Sequence, residues 1–126
     1  MIITIKQCLD FNKVYDDLRN TKMPFQTSYH LFLLKTAMDE HTVFYAKQMQ
    51  SLAAQYSENA PEASVKEIKI SKEKSEDFLK KADDLLALRV EVLEEPINPK
   101  DLSQIELSIE QIEKISFLIK REQVIT

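Results

Sequence analysis

Glycine is absent from all 126 positions of this chain. Glycine supplies left-handed turns and lets backbone approach a ligand closely. Its absence excludes the glycine-dependent P-loop and the dinucleotide fingerprint, and with them the usual nucleophile elbow. Tight Asn-Gly and Asp-Gly hairpins are excluded as well. Helices must therefore end on other residues, and Asn20 and Asn59 are placed to do so, because asparagine tolerates the left-handed conformation. Cysteine is nearly absent too. Cys8 stands alone, so no intrachain disulfide is possible, and it reads as a small core residue in a reducing compartment. Long apolar runs are missing: the longest is Leu31-Phe32-Leu33-Leu34, far short of the ~20 residues that span a bilayer. The opening residues Met1–Lys6 lack the basic start and apolar stretch of a signal peptide. The expectation is a protein that is not secreted and does not enter a membrane. A basic stripe is also missing. The formal net charge is -4, which argues against a phosphate-backbone binder and falls short of the acidity of a DNA mimic.

What is present is a chain with 44% hydrophobic and 30% charged residues, enough to build one core in one domain over 1–126 without metal or disulfides. Residues 2–5 read as a short strand, being rich in β-branched side chains. A helix follows, starting between 6 and 10 and running to about 20, with Phe11, Val14, Tyr15 and Leu18 on one face. Asp16 and Asp17 fall on its solvent side. Met23-Pro24 opens the next element, since proline suits a first helical turn. From there to Ser57 no proline occurs. Leu31, Leu34, Met38, His41, Tyr45, Met49, Leu52 and Tyr56 step by three and four, an apolar stripe on one long helix. Phe25, Tyr29, Phe32 and Leu33 are expected to widen that apolar face, with Phe44 on a flank beside Leu33 and Ala37.

Residues 57–64 read as a loop and 65–70 as a strand, with Ser71 as the cap of a helix over about 72–87. That helix carries Phe78, Leu79, Ala82, Leu85 and Leu86 on its apolar side. Val90 and Val92 flank Glu91 in a strand at about 89–93. An irregular connector with Pro96 and Pro99 follows over 94–103, and Ile105 and Leu107 then alternate briefly. Ser108 and Gln111 form a capping-box pair before a last helix over about 109–121, with Ile109, Ile112, Ile115 and Ile119 on its apolar face. The fold class predicted is helix-rich α+β: one long central helix, three shorter helices and a small sheet of short strands.

The long helix has a physical consequence. About 33 residues span roughly 50 Å at 1.5 Å per residue, whereas a domain of this size is on the order of 36 Å across. The helix must break, be tiled along its length by the other helices, or be covered by another chain. An overhanging apolar stripe would be a contact surface.

Chemistry is sparse. His30 and His41 lie three helical turns apart, too far for one metal ion, and the Glu-x-x-His and His-x-x-x-His spacings are absent. His41 reads as a semi-buried or capping imidazole. The carboxylate pairs Asp16-Asp17, Asp39-Glu40, Asp83-Asp84 and Glu94-Glu95 are sequence neighbours, which do not converge as an acid–base dyad; they read as solvated faces. Cys8 has no adjacent histidine and no oxyanion motif. Lysines between 66 and 81 are interleaved with Glu67, Glu73, Glu76 and Asp77, so the local field nearly cancels. No catalytic, metal or cofactor-binding residue is assigned, and an enzyme is not expected.

The order of elements resembles a family of short, uncharacterised proteins of tailed phages and prophages, a domain of unknown function. The resemblance rests on Met23-Pro24 with Tyr29 at the start of the long helix and Gln55-Tyr56 at its end. Glu76-Asp77-Phe78, Val90-Glu91-Val92 and the stretch from Ile97 through Leu107 also match. The chain departs from that family at 57–64, where Asn59 and Pro61 stand in a connector expected to be rich in glycine or asparagine. The resemblance implies a phage origin, in the virion or the cytoplasm of the infected host, and no assigned activity. The function expected is a non-enzymatic accessory protein acting by protein–protein contact, as a small virion or assembly component. The alternatives are an inhibitor of a host enzyme or defence complex and a small nucleic-acid-binding regulator. The partner is a phage structural protein, a host protein or a second copy. Phe25, Tyr29, Phe32 and Phe44 are the candidate contact residues, since aromatic side chains are enriched at interface centres; their competing role is core packing.

Overall fold

A computed structural model describes residues 1–56 and 72–121. Strand β1 (Ile2–Thr4) runs straight into helix α1 (Ile5–Leu18). The switch occurs at Thr4, whose hydroxyl accepts from the Gln7 amide at 3.2 Å while the Gln7 side chain accepts from the Thr4 amide at 2.9 Å. This reciprocal cap satisfies two otherwise orphaned donors, so the helix begins one residue earlier than the run of β-branched side chains suggests. Ile5, Cys8, Phe11, Val14 and Leu18 then recur at helical spacing and are all buried.

Helix α1 does not end through a left-handed asparagine. Among the described residues none has a positive φ. Arg19 keeps right-handed helical angles, and the chain leaves through a turn in which the Thr21 amide donates to the Leu18 carbonyl at 2.9 Å. Asn20 therefore has no terminating role. Asn59, the loop over 57–64, the strand over 65–70 and the Ser71 cap lie outside the described residues.

Helix α2 (Phe25–Tyr56) is one unbroken element of 32 residues. Its inner stripe is covered by the chain itself. Thr27, Leu31, Leu34 and Met38 are buried in the main core, with α1 on one side. At the other end Leu52 and Ala53 are buried where helix α3 (Lys72–Leu86) packs. There Tyr56 meets Phe78 edge-on at 6.1 Å between ring centres, and its hydroxyl donates to the Asp77 carboxylate. Of the three outcomes open to the long helix, tiling holds at both ends, with α1 on its first half and α3 on its last turns, while His41, Tyr45 and Met49 between them are half-buried. On α3 itself Ala82 is buried, but Leu79 is 58% exposed and does not belong to the packed side.

Strand β2 (Arg89–Glu91) pairs antiparallel with β1 in the register Ile2↔Glu91, Ile3↔Val90, Thr4↔Arg89. Ile3 and Val92 enter the core from this small sheet. The connector after it holds a single turn, α4 (Pro99–Leu102), capped by Asn98 with Pro99 in its first turn. The Thr27 hydroxyl donates to the Asp101 carbonyl at 3.4 Å, fixing that turn to α2.

Helix α5 (Ile109–Ile115) opens on the Ser108–Gln111 capping box. It stops well before residue 121. A 3-10 turn over Ser116–Leu118 follows, and Ile119 then forms a parallel bridge with Ile97. The Ile97 amide donates to the Leu118 carbonyl and the Lys120 amide to the Ile97 carbonyl, at 2.6 and 2.8 Å. These bonds need extended backbone at 119, which ends the helix. The turn also changes which isoleucines point inward. Ile115 and Leu118 are fully buried, whereas Ile109 and Ile112 are 76% and 43% exposed. Each fully buried side chain of this size stabilises the fold by about 1.5–3 kcal/mol.

Candidate interaction surface

Helical geometry sets the site. At 100° per residue, Phe25, Tyr29 and Phe32 lie roughly 160° around α2 from the stripe of Leu31, Leu34 and Met38. They therefore point outward, and the expectation that they widen the core face is overturned. Phe25 is 76% exposed, Tyr29 47% and Phe32 53%. Their rings form a ladder, with centroids 5.6 Å apart for Phe25–Tyr29 and 6.4 Å for Tyr29–Phe32. Val43 continues the same outer face and is also exposed. Phe44 is exposed but sits about 18 Å further along the helix and is turned about 100° away. The structure thus brings three of the four candidates together and leaves Phe44 apart.

An outward helix face normally carries charge. Only Lys35, Asp39, Glu40 and Lys47 are charged in the 32 residues of α2, against 30% across the chain. None of the four lies in the ladder, and Lys35 is already paired with Asp39. At about 200 Å² per aromatic residue, the three exposed fractions leave roughly 350 Å² of residue surface open to solvent. That is the scale of the largest apolar patch on a typical monomer, which is often functional.

Beside the ladder lies a groove of about 360 Å³, lined by Phe25, Gln26, Tyr29, His30, Leu33, Glu94 and Glu95. Its far wall is the connector after β2; one imidazole holds that connector against α2 and a second holds the end of β2. His30 Nε2 bonds the Glu95 carbonyl at 2.9 Å, and His41 Nε2 bonds the Glu91 carbonyl at 3.1 Å. A carbonyl oxygen can only accept, so each ring donates from Nε2. Both histidines are spent on fixing backbone, in keeping with the semi-buried, capping reading of His41.

Elsewhere the polar groups are dispersed. A second pocket of about 320 Å³ between α2 and α3 is lined mainly by Gln48, Gln55, Lys81 and Asp84 with Leu52 and Leu85. Ser51 also lines it, with no histidine or cysteine beside it. Nearby, Tyr56 and then Lys81 hold the Asp77 carboxyl below its ordinary range, and Tyr56 chiefly raises Lys81. Lys81 also stands over the Tyr56 ring, 5.0 Å from its centre. Burial pushes the Cys8 thiol up to about 11, so Cys8 is a protonated core group at neutral pH. Among the described residues no group of three or more His, Cys, Asp or Glu could hold a metal ion, and no helix is long and apolar enough to cross a membrane.

The outer position of Phe25, Tyr29 and Phe32 follows from helical angles alone, since each lies far around the helix from Leu31, Leu34 and Met38. The approach of Glu94 and Glu95 to Phe25 and Tyr29 has no local signal, because it depends on the path of the connector. No protein-family model matches the chain, and neither a curated protein nor a solved structure matches it.

Proposed function

We propose that this chain is a non-enzymatic accessory protein that acts by protein–protein contact, using the outer face of α2 around Phe25, Tyr29 and Phe32. The observation that carries the reading is the uncharged aromatic ladder exposed on the face opposite the buried Leu31, Leu34 and Met38. The inner face supplies the core, and none of these three rings belongs to it. Exposed aromatics of this kind lose little conformational entropy on docking and anchor interface centres. The sequence resemblance to short tailed-phage proteins supports a phage setting, and within it a small virion or assembly component.

The test is affinity capture from infected cells with the wild-type chain and with a Phe25→Ser, Tyr29→Ser, Phe32→Ser variant of unchanged thermal stability. A specific partner captured by the wild type and lost by the variant supports the reading. Equal capture by both refutes it. Mass spectrometry of purified particles separates a virion component from an inhibitor, which instead co-purifies with a host enzyme.

A further inference from the structure

The groove beside the ladder has a chemistry of its own. Two aromatic residues, Phe25 and Tyr29, line one side and two acidic residues, Glu94 and Glu95, line the other. No lysine or arginine lines it. Among the described residues neither glutamate is in an ion pair. The one imidazole present has its Nε2 committed to the Glu95 carbonyl. From this we infer that the groove is a binding site for a cationic side chain, an arginine presented by the partner protein. The inference rests on the contact reading above and specifies what that partner brings.

The physical case is charge complementarity. Aromatic faces attract cations through the negative potential above the ring. Carboxylates pair with a guanidinium through its planar fork, and the same plane stacks on a ring, which a compact ammonium cannot do. The N-terminus of α2 opposes this with about half a positive charge, which two full carboxylates outweigh. The volume suits one or two side chains, being at the small end of the range for ligand pockets. The backbone on the carboxylate side is held in place by His30 and His41, so the groove exists before a ligand arrives. Phe32 lies outside the groove lining and belongs only to the wider contact face.

The experiment is an NMR titration of the ¹⁵N-labelled full chain with acetyl-Leu-Arg-Leu-amide, and with the same peptide carrying citrulline, a neutral isostere, in place of arginine. Exposed cation–π and ion-pair contacts are each worth a factor of about two to five, so citrulline should bind about tenfold more weakly. The arginine peptide should shift the amides of Tyr29, His30, Glu94 and Glu95, and a Glu94→Gln, Glu95→Gln variant should cut its advantage to the factor of about two to five that the rings supply. Equal binding of both peptides, or no shift at these residues with either, overturns the assignment. The wider contact reading is judged separately by Phe32→Ser, which should weaken partner capture while leaving the arginine peptide's affinity unchanged.

Discussion

Replacing Leu34 by alanine and, separately, Phe32 by alanine tests the assignment of the two faces of α2. The two residues are two positions apart in one helix yet point to nearly opposite sides. Leu34 is fully buried in the main core, whereas Phe32 is 53% exposed. Removing a buried leucine side chain costs about 2–5 kcal/mol, from lost burial plus the cavity left behind. For a domain of this size one kcal/mol moves the melting temperature by about 4 °C. Leu34→Ala should therefore lower Tm by roughly 8–20 °C. Phe32→Ala leaves no cavity and gains slightly in helix propensity, so it should stay within about 0.5 kcal/mol, or 2 °C. Calorimetry of both variants against wild type measures the contrast. Equal destabilisation by the two would mean that the aromatic ladder is part of the core, and the case for an outer contact face would fall.

Other expectations follow from local observations. Ser108→Ala removes the cap of a seven-residue helix and should cost about 0.5–2 kcal/mol by urea unfolding, with Gln111→Ala costing less. Cys8 should resist thiol reagents in the native state and react on unfolding, as read by absorbance. Its pKa is raised to about 11 from 9.0, so above pH 9 the unfolded chain holds fewer protons than the folded one. Stability should therefore fall between pH 9 and 11, by about 2–3 kcal/mol at about 1.4 per unit, and Cys8→Ala should flatten that slope. Phe78→Ala should loosen α3 from α2 by removing the ring against Tyr56, read as faster hydrogen exchange in α3 with α1 unchanged.

Much of the helical framework was legible because periodicity is a local property. The Leu31–Leu34–Met38 face, the Val90-Glu91-Val92 segment and the Ser108–Gln111 cap all read directly from spacing. The misreadings have tertiary causes. The last helix stops at Ile115 because Ile97, eighteen residues earlier, claims the backbone at 119. Asn20 is not a left-handed cap because a right-handed turn already serves the end of α1. Thr27 belongs to the buried stripe although its polarity hid it, because the Asp101 carbonyl accepts its hydroxyl. Glu94 and Glu95 read as a solvated pair, and only the connector pinned by His30, leaving a strand end pinned by His41, brings them to the aromatic groove.

The most direct test of the outer-face account is site-specific photo-crosslinking in cells that express the chain. A benzophenone side chain at Phe32 is compared with one at Glu113, an exposed position on α5. The account predicts a discrete crosslinked partner from position 32 and none from 113. The same band from both positions, or none from 32 while 113 yields one, would contradict it.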